Sequence, residues 1–373
     1  MNKIYEERRG KIYDWMAQEG IALLMFEDSE QRRDASVRWL SGHPSDALLF
    51  LSVSRQALLM PWDVNMASLM AQVDAVLPYT RFERSPIVAA AQAAKHFKIP
   101  RGSRIEIPSL TAYYQFLNFT GALGDYDVLC RQWGVQENVE RLRAVKDGVE
   151  RKIYATAARV TNELIELIVE QVQEGRFKTE IEAALFIEYE ARKRGCEGTG
   201  FETLAAGPER SFGIHAFPAY TASPFAGAGL SILDFGLKYS GYTTDVTLTF
   251  ARPPLSSGQE KMISLVERAY TLALGMVKPG AETLDIARAV DSLFAKAKKA
   301  MPHALGHGIG LEAHEAPPLR NRSDSAWKLE PGMIIALEPG LYDTALGGCR
   351  LENDILVTET GAEALTAARV VRL

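Results

Sequence analysis

The residues able to do chemistry in this chain are confined to a few short stretches punctuated by glycine and proline, and any fold it adopts has to account for them. Four of the six histidines lie in the last 160 or so residues. The stretches read LDFG (Leu233–Gly236), TTDVT (Thr243–Thr247), HALGHGIGLEAHE (His303–Glu315), EPGLY (Glu338–Tyr342) and RLENDILVT (Arg350–Thr358). Histidine combined with carboxylate is the ligand set of a hydrolytic metal site.

Bulk properties narrow the class. At 373 residues the chain is too long for one average domain and about right for two. Its 47% hydrophobic and 24% charged residues are those of a globular protein with substantial cores. A net charge of -5 and the lack of any Lys/Arg block argue against a nucleic-acid partner. No run approaches the roughly 18 to 20 apolar residues that span a bilayer, and the opening MNKIYEERRGKIYDW has no apolar signal-like stretch. Cys130, Cys196 and Cys349 are scattered without CxxC spacing and read as reduced, buried thiols, so a cytoplasmic location is expected.

The first 140 or so residues alternate helical and strand-like patterns. Ile4–Glu19 has helical periodicity and stops at Gly20. Ala22–Phe26, Ala47–Val53 and Ala57–Met60 read as strands, and Val64–Val73 as a helix. His43 and His96 have no acidic neighbours at ligand spacing and read as structural or surface residues. A boundary falls near Glu137–Asp147, ahead of a long helix over 148–173. Thr179 and Glu182 form a capping-box pattern that opens a second helix. Strands over 230–235 and 241–250 follow, joined by a turn at Ser240–Gly241. Helices over 258–276 and 284–299 come next, then strands over 333–337 and 351–358. This order lacks the strict alternation of a doubly wound parallel sheet and hints at two related halves.

Asp234 and Asp245 fall on consecutive predicted strands, where cross-strand pairing brings side chains to about 5 Å on one face. Two carboxylates that close repel each other in an apolar strand unless a cation sits between them. Either aspartate alone reads equally well as a turn cap or an arginine partner. Glu338 ends the apolar run MIIAL and precedes Pro339-Gly340, which points a carboxylate out of a strand end into a pocket. Glu352 lies between Arg350 and the apolar Ile355–Val357. Gly306 and Gly308 flank His307, and glycine there lets the backbone approach a ligand or metal closely. The four carboxylates carry about four negative charges, which two divalent cations neutralise and one does not. Hard oxygen with one imidazole and no thiolate favours Mn²⁺ or Co²⁺, with Zn²⁺ as an alternative. Two ions about 3.5 Å apart hold a bridging hydroxide and polarise a carbonyl, so hydrolysis is the expected reaction.

These motifs, in this order, resemble those of the pita-bread metallopeptidases, the group of methionine aminopeptidase, prolidase (Xaa-Pro dipeptidase) and aminopeptidase P. Residues 143–373 resemble the catalytic domain. Residues 1–142 resemble the creatinase-type N-terminal domain of prolidase and aminopeptidase P, through VRWLSG (Val37–Gly42) ahead of a strand pair. The resemblance implies an α+β fold: a pita-bread catalytic domain with a smaller α/β N-terminal domain. It also implies metal ligands at Asp234, Asp245, His307, Glu338 and Glu352, with Asp245 and Glu352 bridging and Glu338 shuttling a proton. His303 and His314 match catalytic and pocket histidines that stabilise an oxyanion. His215, in HAFP (His215–Pro218), matches a further pocket histidine two residues farther from Asp234 than usual. Arg350 and Tyr342 match substrate-side or supporting positions. Leu248 stands where arginine is common and Ala336 where threonine is common, which bears on substrate preference and tuning of the site.

The implied activity is hydrolysis of the bond between an N-terminal residue and proline, by a dipeptidase or an aminopeptidase. The implied partners are a small peptide with proline second and a second copy of the chain, as a homodimer. Alternatives on the same fold are a metal-dependent hydrolase of a small non-peptide amide, and a non-catalytic binding module, which typically loses ligands.

Overall fold

The computed structural model describes residues 3–373, and the chain folds as two compact units, Met1–Arg143 and Ala144–Leu373. The first unit is built on strands β1 (Ile21–Asp28), β2 (Ala47–Ser52), β3 (Gln56–Pro61), β4 (Ala75–Val76), β5 (Arg104–Glu106) and β6 (Asp127–Leu129), ordered β4-β3-β2-β1-β5-β6. The three longest are antiparallel neighbours, and the short outer strands join in parallel. The runs ALLFLS and IALLMFED lack polar alternation because both faces of these strands are covered. The VRWLSG motif lies on a helix of about two turns, Ala35–Ser41. Asp34 caps its start, and Gly42 ends it at φ 75°, a conformation glycine adopts without penalty. The helix expected over Val64–Val73 stops at Met70. His43 is buried, and His96 is exposed at a helix end.

The second unit has two principal sheets. One has the order β20-β12-β9-β8, from strands β8 (Leu204–Ala206), β9 (Gly229–Phe235), β12 (Val246–Arg252) and β20 (Val370–Arg372). The other, β14-β13-β15-β18-β19, is antiparallel throughout. It uses β13 (Gly306–Gly308), β14 (Glu315–Leu319), β15 (Ile334–Leu337), β18 (Asn353–Val357) and β19 (Ala362–Ala364). Between β9 and β12 the chain makes a small excursion, β10 (Leu237–Tyr239) and β11 (Tyr242–Thr243), which pairs with β7 (Gly198–Thr199). A separate hairpin, β16 (Gly340–Asp343) and β17 (Gly347–Arg350), follows Glu338.

Alternation along each strand decides what faces what. On β9 and β12, Leu233, Phe235, Val246, Leu248 and Phe250 pack on the helices Gly148–Gln173 and Glu180–Lys193. On β15 and β18, Ile335, Leu337, Ile355 and Val357 pack on Ser257–Met276 and Thr283–Lys296. Each sheet therefore turns one apolar face to a pair of helices and leaves its polar positions on the other face. The long helix 148–173 starts with a full capping box, Asp147 with Glu150, and the next helix with Thr179 and Glu182 as the sequence predicts. The two sheets meet at one antiparallel bridge, Thr247 with Glu352, whose N–H groups donate reciprocally at 3.4 and 3.3 Å.

Candidate metal centre

Around that bridge lies a cavity of about 700 Å³ whose lining includes Asp234, Asp245, His307, Glu338 and Glu352, together with His215, His303, His314 and Arg350. The predicted residues thus reach one place from six separate stretches of chain. Asp245, His307 and Glu352 each offer a ligand atom within 4.8 Å of the others. Glu338 is 3.7 Å from His307 Nε2 and 3.6 Å from His303 Nδ1.

The strands explain the convergence. Asp234 is paired with Thr247, so Asp245 sits diagonally from Asp234 and not directly across from it. The diagonal keeps both carboxylates on the polar face and spreads them apart. The expected single strand over 241–250 is broken by the β10–β11 excursion, and Asp245 stands just ahead of β12. His307, Ala336 and Asp354 follow one another across β13, β15 and β18 on one face. The glycines beside His307 also make room for neighbouring backbone. A Cβ at Gly306 would lie 2.1 Å from Ala336 O, and one at Gly308 1.9 Å from Ala316 O.

Hydrogen bonds fix the protonation pattern. His307 Nδ1 faces Gly308 O at 3.0 Å and so carries the proton, leaving the Nε2 lone pair toward Asp245 (3.8 Å) and Glu338. His303 Nδ1 donates to Ala304 O (2.8 Å), and Nε2 accepts from the Tyr342 hydroxyl (3.0 Å). Tyr342 Oη in turn accepts from Arg350 Nη1 at 2.8 Å. Arg350 Nε donates to Thr247 Oγ1 (2.9 Å), and that hydroxyl donates to Glu352 Oε2 (2.7 Å). Arg350, matched to a substrate-side or supporting position, is buried, and it also donates to Asp234 Oδ2 (2.6 Å) and Ile214 O (3.1 Å). His215 and His314 lie exposed at the mouth, with the His314 ring 4.2 Å from that of His307.

Burial and mutual repulsion dominate the electrostatics. Burial, then Glu352 and Asp234, push the Asp245 carboxyl well above the ordinary range. Burial and Glu352 do the same to Glu338. Glu352 rises to about 7 through burial and the nearby Asp234. Asp234 is raised by burial against the pull of Arg350. Burial lowers His303 and His307 to about 4, so both rings are neutral at pH 7 and able to offer a lone pair. Asp234 Oδ1 is buried with no hydrogen-bond partner. Crowded acids, an unpartnered carboxylate oxygen and an aimed imidazole lone pair fit divalent cations, which relieve the repulsion and satisfy the open acceptors.

Several contributors were not anticipated from sequence. Thr247 relays Arg350 to Glu352, and the alternation in DVTLTF, with Asp245, Thr247 and Thr249 on one face, carried that signal. Asp354 is fully buried, and one of its oxygens accepts the Asp245 N–H at 3.1 Å. The two departures from the usual pattern also separate. Leu248 faces the helix-covered core, away from the cavity, whereas Ala336 stands on the site face between His307 and Asp354.

Comparison with known proteins agrees with this geometry. The family described as metallopeptidase family M24 matches residues 152–359, more than half of the chain. A putative dipeptidase of Bacillus subtilis, YkvY, is 34% identical over 233 residues, 62% of this chain and 62% of that protein. A Xaa-Pro dipeptidase of Pyrococcus furiosus is 33% identical over 237 residues, 62% of this chain and 66% of that protein. The chain thus spans less than two thirds of the length of these two relatives. Among solved structures, an X-Pro aminopeptidase from Thermotoga maritima is similar at a TM-score of 0.84 and 25% identity, covering 98% of this chain and 99% of that one. A Xaa-Pro dipeptidase from Bacillus anthracis also gives a TM-score of 0.84 and 25% identity, covering 99% and 100%. The fold is the pita-bread fold, and the chain belongs to metallopeptidase family M24.

Proposed function

We propose that this chain hydrolyses the bond between an N-terminal residue and a following proline, as a Xaa-Pro dipeptidase or aminopeptidase. The observation that carries the reading is the convergence of Asp245, His307 and Glu352 within 4.8 Å, beside the unpartnered Asp234 Oδ1, on the floor of a substrate-sized cavity. Similarity to two Xaa-Pro dipeptidases and an X-Pro aminopeptidase supports the choice of bond. In this reading Asp234, Asp245, His307, Glu338 and Glu352 would hold two divalent cations, Mn²⁺ in preference to Co²⁺ or Zn²⁺. When bound, such ions supply a nucleophilic water at neutral pH and polarise the scissile carbonyl.

The chain's own residues do the rest. Glu338, placed 3.7 Å from His307 Nε2 and 3.6 Å from His303 Nδ1, takes the proton from the attacking water and returns it to the departing nitrogen. A proline nitrogen leaves as a secondary amine and requires that proton. His303 is kept neutral and oriented by Tyr342 and Ala304, which occupy both ring nitrogens, so in this reading it lines the pocket beside Glu338. His215 and His314, at the mouth, contact the substrate. Arg350 and Tyr342 support these groups from behind. The active species in this reading is a homodimer, which sedimentation of the purified protein checks.

The deciding assay presents Xaa-Pro dipeptides, longer Xaa-Pro peptides and Met-Ala peptides to the protein with Mn²⁺, Co²⁺ or Zn²⁺. Turnover is expected only with proline second, and the length preference separates dipeptidase from aminopeptidase. Cleavage of Met-Ala peptides, or of no Xaa-Pro peptide, overturns the proposal. Asp245→Asn is expected to abolish turnover while leaving the circular dichroism of the fold unchanged.

A further inference from the structure

One buried ion pair borders the cavity without belonging to its carboxylate floor. Lys146 Nζ lies 3.4 Å from Glu315 Oε2, and the two side chains are 1% and 6% exposed. Both partners are tied to backbone that leads to the site. Lys146 N–H donates to Gly332 O (3.0 Å), at the turn that launches β15 toward Glu338. Glu315 is paired with Gly308, next to His307, and directly follows His314. Its other oxygen, Oε1, accepts the Glu312 N–H at 3.1 Å.

Gly310 completes the arrangement. A Cβ there would stand 2.7 and 2.9 Å from the two Glu315 carboxylate oxygens, and the Gly310 carbonyl accepts the Thr243 N–H at 2.8 Å. The loop 309–314 is thus wrapped around one carboxylate that Lys146 neutralises. His314 needs such support. Its ring meets that of His307 edge to face, with centroids 4.2 Å apart, and among the described residues no side-chain hydrogen bond fixes it. Where that ring sits is therefore decided by its backbone. A buried ion pair is costly to desolvate and is weak evidence for stability by itself, which leaves geometry as the reason to keep it.

We propose that the Lys146–Glu315 pair is a positioning device that holds the 309–314 loop and thereby places His314 at the cavity mouth. The role given to His314 rests on the Xaa-Pro hydrolase reading. The placement of the loop does not.

The test uses the full chain carrying Lys146→Met with Glu315→Gln, which removes both charges of the pair together. Hydrogen exchange of the amides in 309–315 is expected to rise in this protein with no metal added. With metal restored and its content equal to wild type, kcat/KM on a Xaa-Pro dipeptide is expected to fall on the order of 10²-fold, the scale for a displaced pocket group. In a His314→Ala background the same pair of changes is expected to cost no more than about twofold, because residues acting as a unit are not additive. Gly310→Ala, which crowds the same carboxylate, is expected to raise the same exchange rates. Unchanged exchange in both variants overturns the proposal, and so does a loss that adds fully to that of His314→Ala. If wild-type protein cleaves no Xaa-Pro peptide, the functional reading fails, while the exchange rates still decide whether the pair holds the loop.

Discussion

Arg350 Nη2 donates to Asp234 Oδ2 at 2.6 Å, so that Oδ1 of the same carboxylate is left as a buried acceptor without a partner. One oxygen is anchored and the other is available. The same guanidinium holds Tyr342 and Thr247, so a single buried cation orients three groups around the cavity.

Replacing Arg350 tests that anchoring. Arg350→Met leaves Asp234 and its neighbours without their buried counter-charge, which is expected to cost about 3–5 kcal/mol of stability in metal-free protein. Arg350→Lys keeps the charge but lacks the planar fork, and is expected to recover only part of that loss. Urea unfolding of the metal-free variants gives both values. Wild-type stability in Arg350→Met would show that the guanidinium is dispensable.

Thr247 is expected to act on metal affinity more than on folding. Thr247→Val removes the hydroxyl between Arg350 Nε and Glu352 Oε2, freeing a ligand carboxylate to rotate. Loss of such a supporting group typically costs about 10–100-fold in affinity. Thr247→Ser keeps the hydroxyl and is expected to bind as wild type. Competition against a chelator measures both.

Stability of the metal-stripped protein is expected to fall as pH rises from 6.5 to 8, and added Mn²⁺ is expected to reverse the fall. The sign follows from linkage. Glu352 is raised from 4.5 to about 7, and Asp245 and Glu338 are also raised well above their ordinary values, so their carboxyls bind more protons in the folded state than in the unfolded chain. Below 6.5 the histidines work the other way. His303 and His307 are lowered from 6.5 to about 4, so the unfolded chain binds more protons there and their contribution is lost as pH falls through about 4. Above 6.5 the opposing contribution of the histidines fades as the unfolded rings lose their protons, and the carboxylate effect comes to dominate toward pH 8. Mn²⁺ at about 100 times its Kd adds about 2.7 kcal/mol. Thermal melts between pH 6.5 and 8, with and without the ion, read the effect, and a flat metal-free profile would rule out the crowded-acid account.

Much of the fold is written locally. Gly20 and Gly42 end helices, Asp147 with Glu150 and Thr179 with Glu182 start them, and the apolar runs of β1, β2 and β9 announce buried strands. The acids and His307 are legible for the same reason, since glycine, proline or turn residues close by in the sequence mark each of them. The β16–β17 hairpin was not, because GLYD and GGCR are short and glycine-rich and carry no alternating pattern. Nor was the diagonal offset of Asp234 and Asp245, since register depends on the β10–β11 excursion.

The sequence by itself determined which kinds of group this protein brings to its chemistry: hard oxygen ligands, an imidazole, and the turns that present them. Tertiary structure alone decided which of them touch. Thr247 meets Glu352 across 105 residues of chain, Arg350 meets Asp234 across 116, and Lys146 meets Glu315 across 169. Local preference extends over a turn or a strand, whereas these distances are set by two helix-backed sheets closing polar face to polar face, each burying its apolar side.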